Sequence, residues 1–237
     1  MLTNHRRAFR FSFGLLVTLA FLLAAVGRHA ESQAPVTNLA FIGEFDGMVQ
    51  RWADDVRTGV LTGFCTFLSI IGGGFVTIPL RFLVAAWLLF RRRFVAFSAF
   101  GLTWIASEVL LTWLKVFFHR GRPPDPLVTT NGFSFPSGHA VAGAAFVVAL
   151  VLVAFPPGPK RRKWELLAVA FTFVMALSRV YLAAHWFSDV VTGVVLGAGI
   201  AIGSAALVTE VTNVLSARGM IKRPETPPGD PLDPRLP

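Results

Sequence analysis

The sequence predicts an all-α integral membrane protein: a bundle of six transmembrane helices with an interfacial amphipathic segment. Three observations lead there. Of the 237 residues, 54% are hydrophobic and only 15% charged, against about 25% charged in an ordinary soluble domain. The apolar residues gather into runs approaching the roughly 20 needed for a helix to cross a hydrocarbon core of about 30 Å. No sustained period-two pattern suggests a barrel, and isolated runs of this length satisfy their backbone groups inside lipid only as helices.

The first span is expected at about Phe11 to Gly27. Arg6, Arg7 and Arg10 precede it, as in a signal peptide. The run is longer than a usual signal core, and Val26-Gly27-Arg28-His29-Ala30 is a poor cleavage site, so an uncleaved span is expected. The stretch from Ala30 to Gly72 is less regular. Glu44, Asp46, Arg51, Asp54, Asp55 and Arg57 make its first half too polar to span. Phe41, Ile42, Phe45, Met48, Val49 and Trp52 recur at helical spacing, which predicts an amphipathic helix on the membrane surface. Leu61 to Ile71 is apolar but short and ends at Gly72-Gly73-Gly74, so it reads as an interfacial or re-entrant piece. The remaining spans are expected at about Gly73 to Phe90, Phe94 to Leu114, His139 to Phe155, Trp164 to Tyr181 and Trp186 to Val208. Residues 1–218 thus form one membrane domain. The tail 219–237, with Pro224, Pro227, Pro228, Pro231 and Pro234, is expected to be disordered and cytoplasmic.

The formal net charge is +9, but it does not point to nucleic acid. Most Lys and Arg sit in short loops and tails, where they set topology. Arg6, Arg7 and Arg10, then Arg91-Arg92-Arg93, then Lys160 to Lys163, then Arg218, Lys222 and Arg223 all fall on one face of a six-span protein. That face is expected to be cytoplasmic, with both termini. The loop from Lys115 to Pro136 and the junction near Ala183 and Ala184 then face the periplasm or cell exterior of an inner-membrane protein. Lys115, Arg120 and Arg122 lie there against the rule, so they call for another explanation. With one cysteine, Cys65, there is no intrachain disulfide and no thiolate metal cluster.

Three clusters carry chemistry. Lys115, Arg122 and Arg179 make an anion grip: guanidinium groups match pairs of phosphoryl oxygens, and a lysine adds a point charge. Each alone reads as a cation snorkelling at a helix end. Pro136-Ser137-Gly138-His139 precedes a long apolar run. Ser137 can cap that helix, Gly138 lets backbone approach an anion, and His139 can donate a proton to a leaving oxygen. His185 and Asp189 are four apart on one helical face, so the carboxylate can take a hydrogen bond from the imidazole and fix its tautomer. His185 is then a candidate nucleophile. A histidine and a capping aspartate at this spacing are common in other settings, and the weight rests on the clusters together. They suit a phosphate that is gripped, attacked by imidazole and released at a membrane surface.

Read jointly, Lys115 to Pro123 matches KxxxxxxRP, Pro136 to His139 matches PSGH, and Ser178 to Asp189 matches SRxxxxxHxxxD, with all eleven fixed positions present in order. The chain here resembles the type 2 phosphatidic acid phosphatase family, whose soluble haloperoxidase relatives share the signature. The resemblance implies six spans with the site on the outer face. It implies that Lys115, Arg122, Ser137, Gly138 and Arg179 bind phosphate, that His139 is the general acid, and that His185 becomes a phosphohistidine oriented by Asp189. It implies no cofactor and no metal. The expected partner is a lipid phosphate or diphosphate: undecaprenyl diphosphate, with phosphatidic acid and phosphatidylglycerol phosphate as close rivals. A lipid phosphotransferase would use the same site. A non-enzymatic anion transporter would instead place polar residues near the bilayer midplane.

One further pair stands apart from these motifs. Arg81 and Glu108 lie well inside the second and third spans. Charges there are costly and are usually paired or functional. At 1.5 Å per residue from the intervening turn their depths differ by roughly 8 Å, much of which a long arginine could bridge; if the second span starts later or kinks at Pro79, Arg81 instead reaches water.

Overall fold

A computed structural model of the protein describes residues 40–221. The expected first span and the Pro-rich tail from residue 222 lie outside them. Among the described residues there are seven helices and no strand: α1 (Ala40–Asp55), α2 (Gly59–Ile71), α3 (Gly74–Phe90), α4 (Phe94–Phe118), α5 (Gly138–Ala154), α6 (Pro159–Tyr181) and α7 (Phe187–Ala217).

Helices α4, α6 and α7 are long and apolar enough to cross a membrane. Helices α2 and α3 meet at Gly72-Gly73 with a bend of 42° and make a fourth crossing if taken as one broken span. Helix α5 is apolar but has only 17 residues, about 25 Å at 1.5 Å per residue. It is bounded by Pro136 and Ser137 before it and by Phe155-Pro156 after it. The described residues therefore carry three full-length crossings, or four with the bent pair, plus this shorter apolar helix. Boundaries also move outward. α4 runs four residues beyond Leu114 and stops where His119 turns into the left-handed region (φ 46°) and its N–H closes on the Lys115 carbonyl at 3.2 Å.

The amphipathic segment forms helix α1, with its polar side inward. Asp46, Gln50 and Ala53, at helical spacing, are buried, while Met48 and Trp52 are exposed. α1 packs against α6 and α7, with Val49 beside the buried Ala176, Val180 and Val190 and the Phe45 ring edge-on to Phe187 at 5.6 Å.

Helix α5 is the hub, and its tightest partner is α7. Two glycines on α7 explain the close approach. A Cβ at Gly193 would lie 2.9 Å from the Ser137 carbonyl oxygen, and one at Gly197 would lie 2.3 Å from the Val141 carbonyl oxygen. Ala140, Ala144 and Ala145 supply the small side chains opposite. This is small-residue packing of the kind that lets helix backbones meet inside lipid, where hydrophobic burial gives no advantage. It sets the N-termini of α5 and α7 side by side, tied by the Ser137 N–H donating to the Asp189 carbonyl at 3.1 Å. α4 and α6 bring their C-termini to the same end. The clusters Arg91–Arg93 and Lys160–Lys163, with Arg218, sit at the opposite ends of these helices.

Arg81 and Glu108 meet. Arg81, itself buried, donates to Glu108 Oε1 at 2.6 Å, and its guanidinium lies 5.4 Å from the Trp104 ring centre.

Candidate active site

The site is assembled from six pieces of chain. They are the end of α2, the end of α4, the loop 119–137, the start of α5, the end of α6 and the start of α7. Each sequence-expected residue falls at this end of the bundle.

His185 sits in the tight turn between α6 and α7, where Ala183 takes a left-handed conformation (φ 51°). Its N–H and that of Ala184 both close on the Arg179 carbonyl, at 3.3 and 3.1 Å. The ring is buried. Nδ1 lies 2.7 Å from the Ser134 carbonyl, an acceptor only, so Nδ1 carries the proton and Nε2 presents its lone pair. Nε2 is 3.3 Å from Arg122 Nη1. Burial pulls the imidazole's pKa down to about 4; the Asp189 carboxylate opposes this, and Arg122 and Arg179 reinforce it. The ring is thus neutral at ordinary pH.

The expected hydrogen bond between His185 and Asp189 is not formed directly. Asp189 Oδ2 lies 3.7 Å from His185 Nδ1, too far for a hydrogen bond. The fully buried carboxylate instead accepts from the Ser134 hydroxyl, from the Trp186 N–H at 2.9 Å and from Arg120. It acts on the imidazole through Ser134, whose carbonyl does the orienting. The spacing of four is correct for a shared face, but α7 begins only at Phe187, so His185 lies before the helix and its ring meets the 119–137 loop first.

The cations are placed differently from one another. Lys115 Nζ donates to the Phe133 carbonyl at 2.6 Å. Arg122 donates to the carbonyls of Asn131 (2.7 Å), Gly132 (3.0 Å) and Ala184 (2.6 Å), fastening the loop to the turn that bears His185. Burial lowers the Arg122 pKa from its ordinary value. Arg179 is buried, donates through Nη1 to the Ser69 hydroxyl, and its Nε has no hydrogen-bond partner. A buried, unpaired guanidinium N–H is costly unless something outside the protein takes it.

Ser137 caps α5, its hydroxyl accepting from the Ala140 N–H at 3.4 Å. A Cβ at Gly138 would meet only Leu111 Cδ2, at an ordinary 3.5 Å, so protein packing does not demand glycine there. His139 Nε2 lies 3.0 Å from the Ser69 carbonyl. With Nε2–H committed to that carbonyl, Nδ1 of the neutral ring holds a lone pair, so His139 can give a proton to a leaving group only as the doubly protonated imidazolium, and then from Nδ1.

Four participants were not legible as site residues. Ser69 touches both His139 and Arg179, because the α2–α3 break at Gly72-Gly73 turns this chain end into the bundle. Ser134 and Ser188 lie inside motif gaps. Arg120 stood out only as a cation on the wrong face, and it bridges Asp189 and Asp46. Among the described residues no group of His, Cys, Asp and Glu has the arrangement of a metal site.

Known proteins resemble this chain in sequence and fold. The profile of the PAP2 superfamily matches residues 96–213. Phosphatidylglycerophosphatase B of Bacillus subtilis is 31% identical over 157 residues, covering 62% of this chain and 71% of that one. An undecaprenyl-diphosphatase of Sulfolobus acidocaldarius is 30% identical over 156 residues, covering 61% and 69%. The crystal structure of a transmembrane PAP2-type phosphatidylglycerolphosphate phosphatase from Bacillus subtilis superposes with a TM-score of 0.64 at 25% identity, over 86% of this chain and 96% of that one. That of Aquifex aeolicus LpxE gives a TM-score of 0.56, over 66% and 92%, and at 23% identity speaks for the fold alone. On its motifs, its fold and these relatives, the chain belongs to the PAP2 superfamily.

Proposed function

We propose that this protein is a membrane lipid phosphatase that works through a phosphohistidine on His185. The observation that carries the proposal is the pairing of a neutral, oriented imidazole with a buried cation whose Nε is unmatched. Nε2 of His185 presents its lone pair toward Arg122 Nη1 at 3.3 Å, a long contact that an incoming phosphate would replace, and Arg179 Nε has no acceptor within the protein. A phosphate satisfies both.

In the first step Nε2 attacks phosphorus, and the bond from phosphorus to the lipid oxygen breaks. His139, entering the step as the imidazolium, gives that oxygen its Nδ1 proton and is left neutral. Lys115, Arg122, Arg179 and the N–H groups at the start of α5 balance the charge on the equatorial oxygens. The ring, now N-phosphorylated and positive, is stabilised by Asp189 and by its hydrogen bond to Ser134. In the second step water attacks phosphorus, His139 accepts its proton, and His185 leaves as neutral imidazole.

The substrate is a phosphate or diphosphate on a long-chain lipid. The two relatives' names divide between a glycerolipid phosphate and a polyprenyl diphosphate. These names favour phosphatidylglycerol phosphate and undecaprenyl diphosphate as candidates here, and the sequence signature adds phosphatidic acid. A groove of about 630 Å³ between α5, α6 and α7 supports a hydrocarbon chain: Phe187 and Val190 line its site end, and Ala144, Thr172, Val194 and Ala198 its walls. We place the protein in the inner membrane with six spans, both termini cytoplasmic and the site outside, on the one-sided distribution of basic loops. Purified protein in detergent should release phosphate from at least one of the three lipids, and the order of their kcat/KM values assigns the substrate. No release from any of them would refute the proposal.

A further inference from the structure

We infer that Asp46 and Arg120 are positioning residues for the reaction, through which helix α1 holds the Asp189 carboxylate and hence the His185 ring. The inference rests on the reading of His185 as nucleophile. Neither residue belongs to the signature: Arg120 fills an unspecified place in KxxxxxxRP, and Asp46 lies outside the matched residues 96–213.

Two buried carboxylates share one guanidinium. Asp46 is 1% exposed and Asp189 0%, burial that carboxylates tolerate only with full pairing. Arg120 Nη2 donates to Asp46 Oδ2 at 2.6 Å. Its Nη1 donates to Asp189 Oδ1 and to the Ser188 hydroxyl at 2.7 Å. Asp46 also takes the Ser188 N–H at 2.8 Å and the Ser188 hydroxyl at 2.6 Å. That N–H is one of the free donors in the first turn of α7, so α1 supplies the capping carboxylate for a helix it does not belong to. The guanidinium also lies 5.7 Å from the Trp186 ring centre, and Trp186 Nε1 donates to the Gly121 carbonyl at 2.9 Å.

From Arg120 the links continue to the nucleophile. The Arg120 carbonyl accepts the Ser134 N–H at 2.8 Å. Asp189 holds the Ser134 hydroxyl, and the Ser134 carbonyl takes Nδ1–H of His185. Asp46 divides the charge of Arg120, so Asp189 keeps enough negative charge to stabilise a positive N-phosphoryl imidazolium. Without the Asp46 charge, Arg120 neutralises Asp189 alone and its plane is no longer fixed.

The test is Asp46→Asn in the full-length protein, assayed for phosphate release from a lipid phosphate in detergent. The expected result is a fall in kcat of about 10-fold with KM changed less than about 3-fold, as for a group acting on the transition state alone. Added to Asp189→Asn, the same change should cost less than about 2-fold, since both act through one carboxylate. Wild-type kcat in Asp46→Asn, or strictly multiplicative losses, would overturn the inference. A lowered Tm with unchanged kcat would do the same and leave only a structural role. Should Asp46→Asn fail to fold, Ser188→Ala keeps every charge and loses one bridge; it should lower kcat about 3-fold at constant KM, and wild-type kcat there overturns the inference. A second readout does not need turnover. The ¹⁵N shifts of His185 should report the Nδ1–H tautomer in wild type and a mixture in Asp46→Asn. An unchanged tautomer refutes the positioning role, whereas a silent wild-type enzyme refutes the phosphatase reading.

Discussion

Replacing Gly197 with alanine should damage catalysis far more than stability. The added Cβ would lie 2.3 Å from the Val141 carbonyl oxygen, 2.9 Å from the Ala145 nitrogen and 3.0 Å from the Ala144 Cβ. The first two of these are backbone atoms, which cannot turn aside as a side chain would. A carbon–oxygen contact needs more than 3 Å, so α5 and α7 must part by about 1 Å. Overpacking of this sort costs about 1–3 kcal/mol, while relief of the glycine penalty in a helix returns about 1 kcal/mol. The net destabilisation is therefore about 1 kcal/mol. The same 1 Å separates Ser137, which caps α5, from the head of α7, stretching the 3.1 Å bond from the Ser137 N–H to the Asp189 carbonyl, and a misplacement of that size costs about 100-fold in rate. Gly101→Ala on α4 is the control. Nothing lies within 4 Å of its Cβ, so it should retain full activity and gain about 0.5–1 kcal/mol. Phosphate release and thermal unfolding in detergent measure both quantities. Wild-type turnover in Gly197→Ala would show that the α5–α7 contact does not set the site.

Three further outcomes follow from the same geometry. With the His185 pKa held near 4, the acid limb of kcat/KM due to the nucleophile should fall near pH 4 and not near 6.5, because only the neutral ring attacks. The linked stability has the same sign: between about pH 6.5 and 4 the unfolded chain binds the extra proton, so stability should drop as pH is lowered through that window, and less so in His185→Ala. Removing Arg81 or Glu108 alone should destabilise more than removing both, with a coupling of about 0.5–3 kcal/mol in a double-mutant cycle on thermal stability; strict additivity would mean the 2.6 Å pair contributes nothing. Activity should survive excess chelator, since Lys115, Arg122 and Arg179 already supply the positive charge; loss on chelation, restored by magnesium, would indicate different chemistry.

The crossing helices and the residues of the candidate site were legible because both leave strong local signals. Apolar length gave α4, α6 and α7, and motif spacing brought Lys115, Arg122, Ser137, His139, Arg179, His185 and Asp189 to one end of the bundle. Arg81 and Glu108 were legible for the same reason: a charge inside an apolar run has to be answered. Contacts made by ordinary residues across long separations were not. Ser69 reaches His139 and Arg179 only because Gly72-Gly73 bends the α2–α3 pair, and a sequence shows the glycines but not the direction of the bend. Ser134 intervenes between His185 and Asp189 because the loop after α4 folds back over the start of α7, which no spacing rule encodes. The amphipathicity of α1 was legible, and its buried partner was not. Its polar face reads as solvent-facing until Arg120 is found against it.

The phosphohistidine is the central claim, and trapping it is the most direct measurement. Enzyme quenched in base during turnover of a ³²P-labelled lipid phosphate should carry label on protein, lost in acid and mapped to His185. His185→Ala should carry none and release no phosphate. Label on any residue other than His185, or turnover in His185→Ala, would contradict the account.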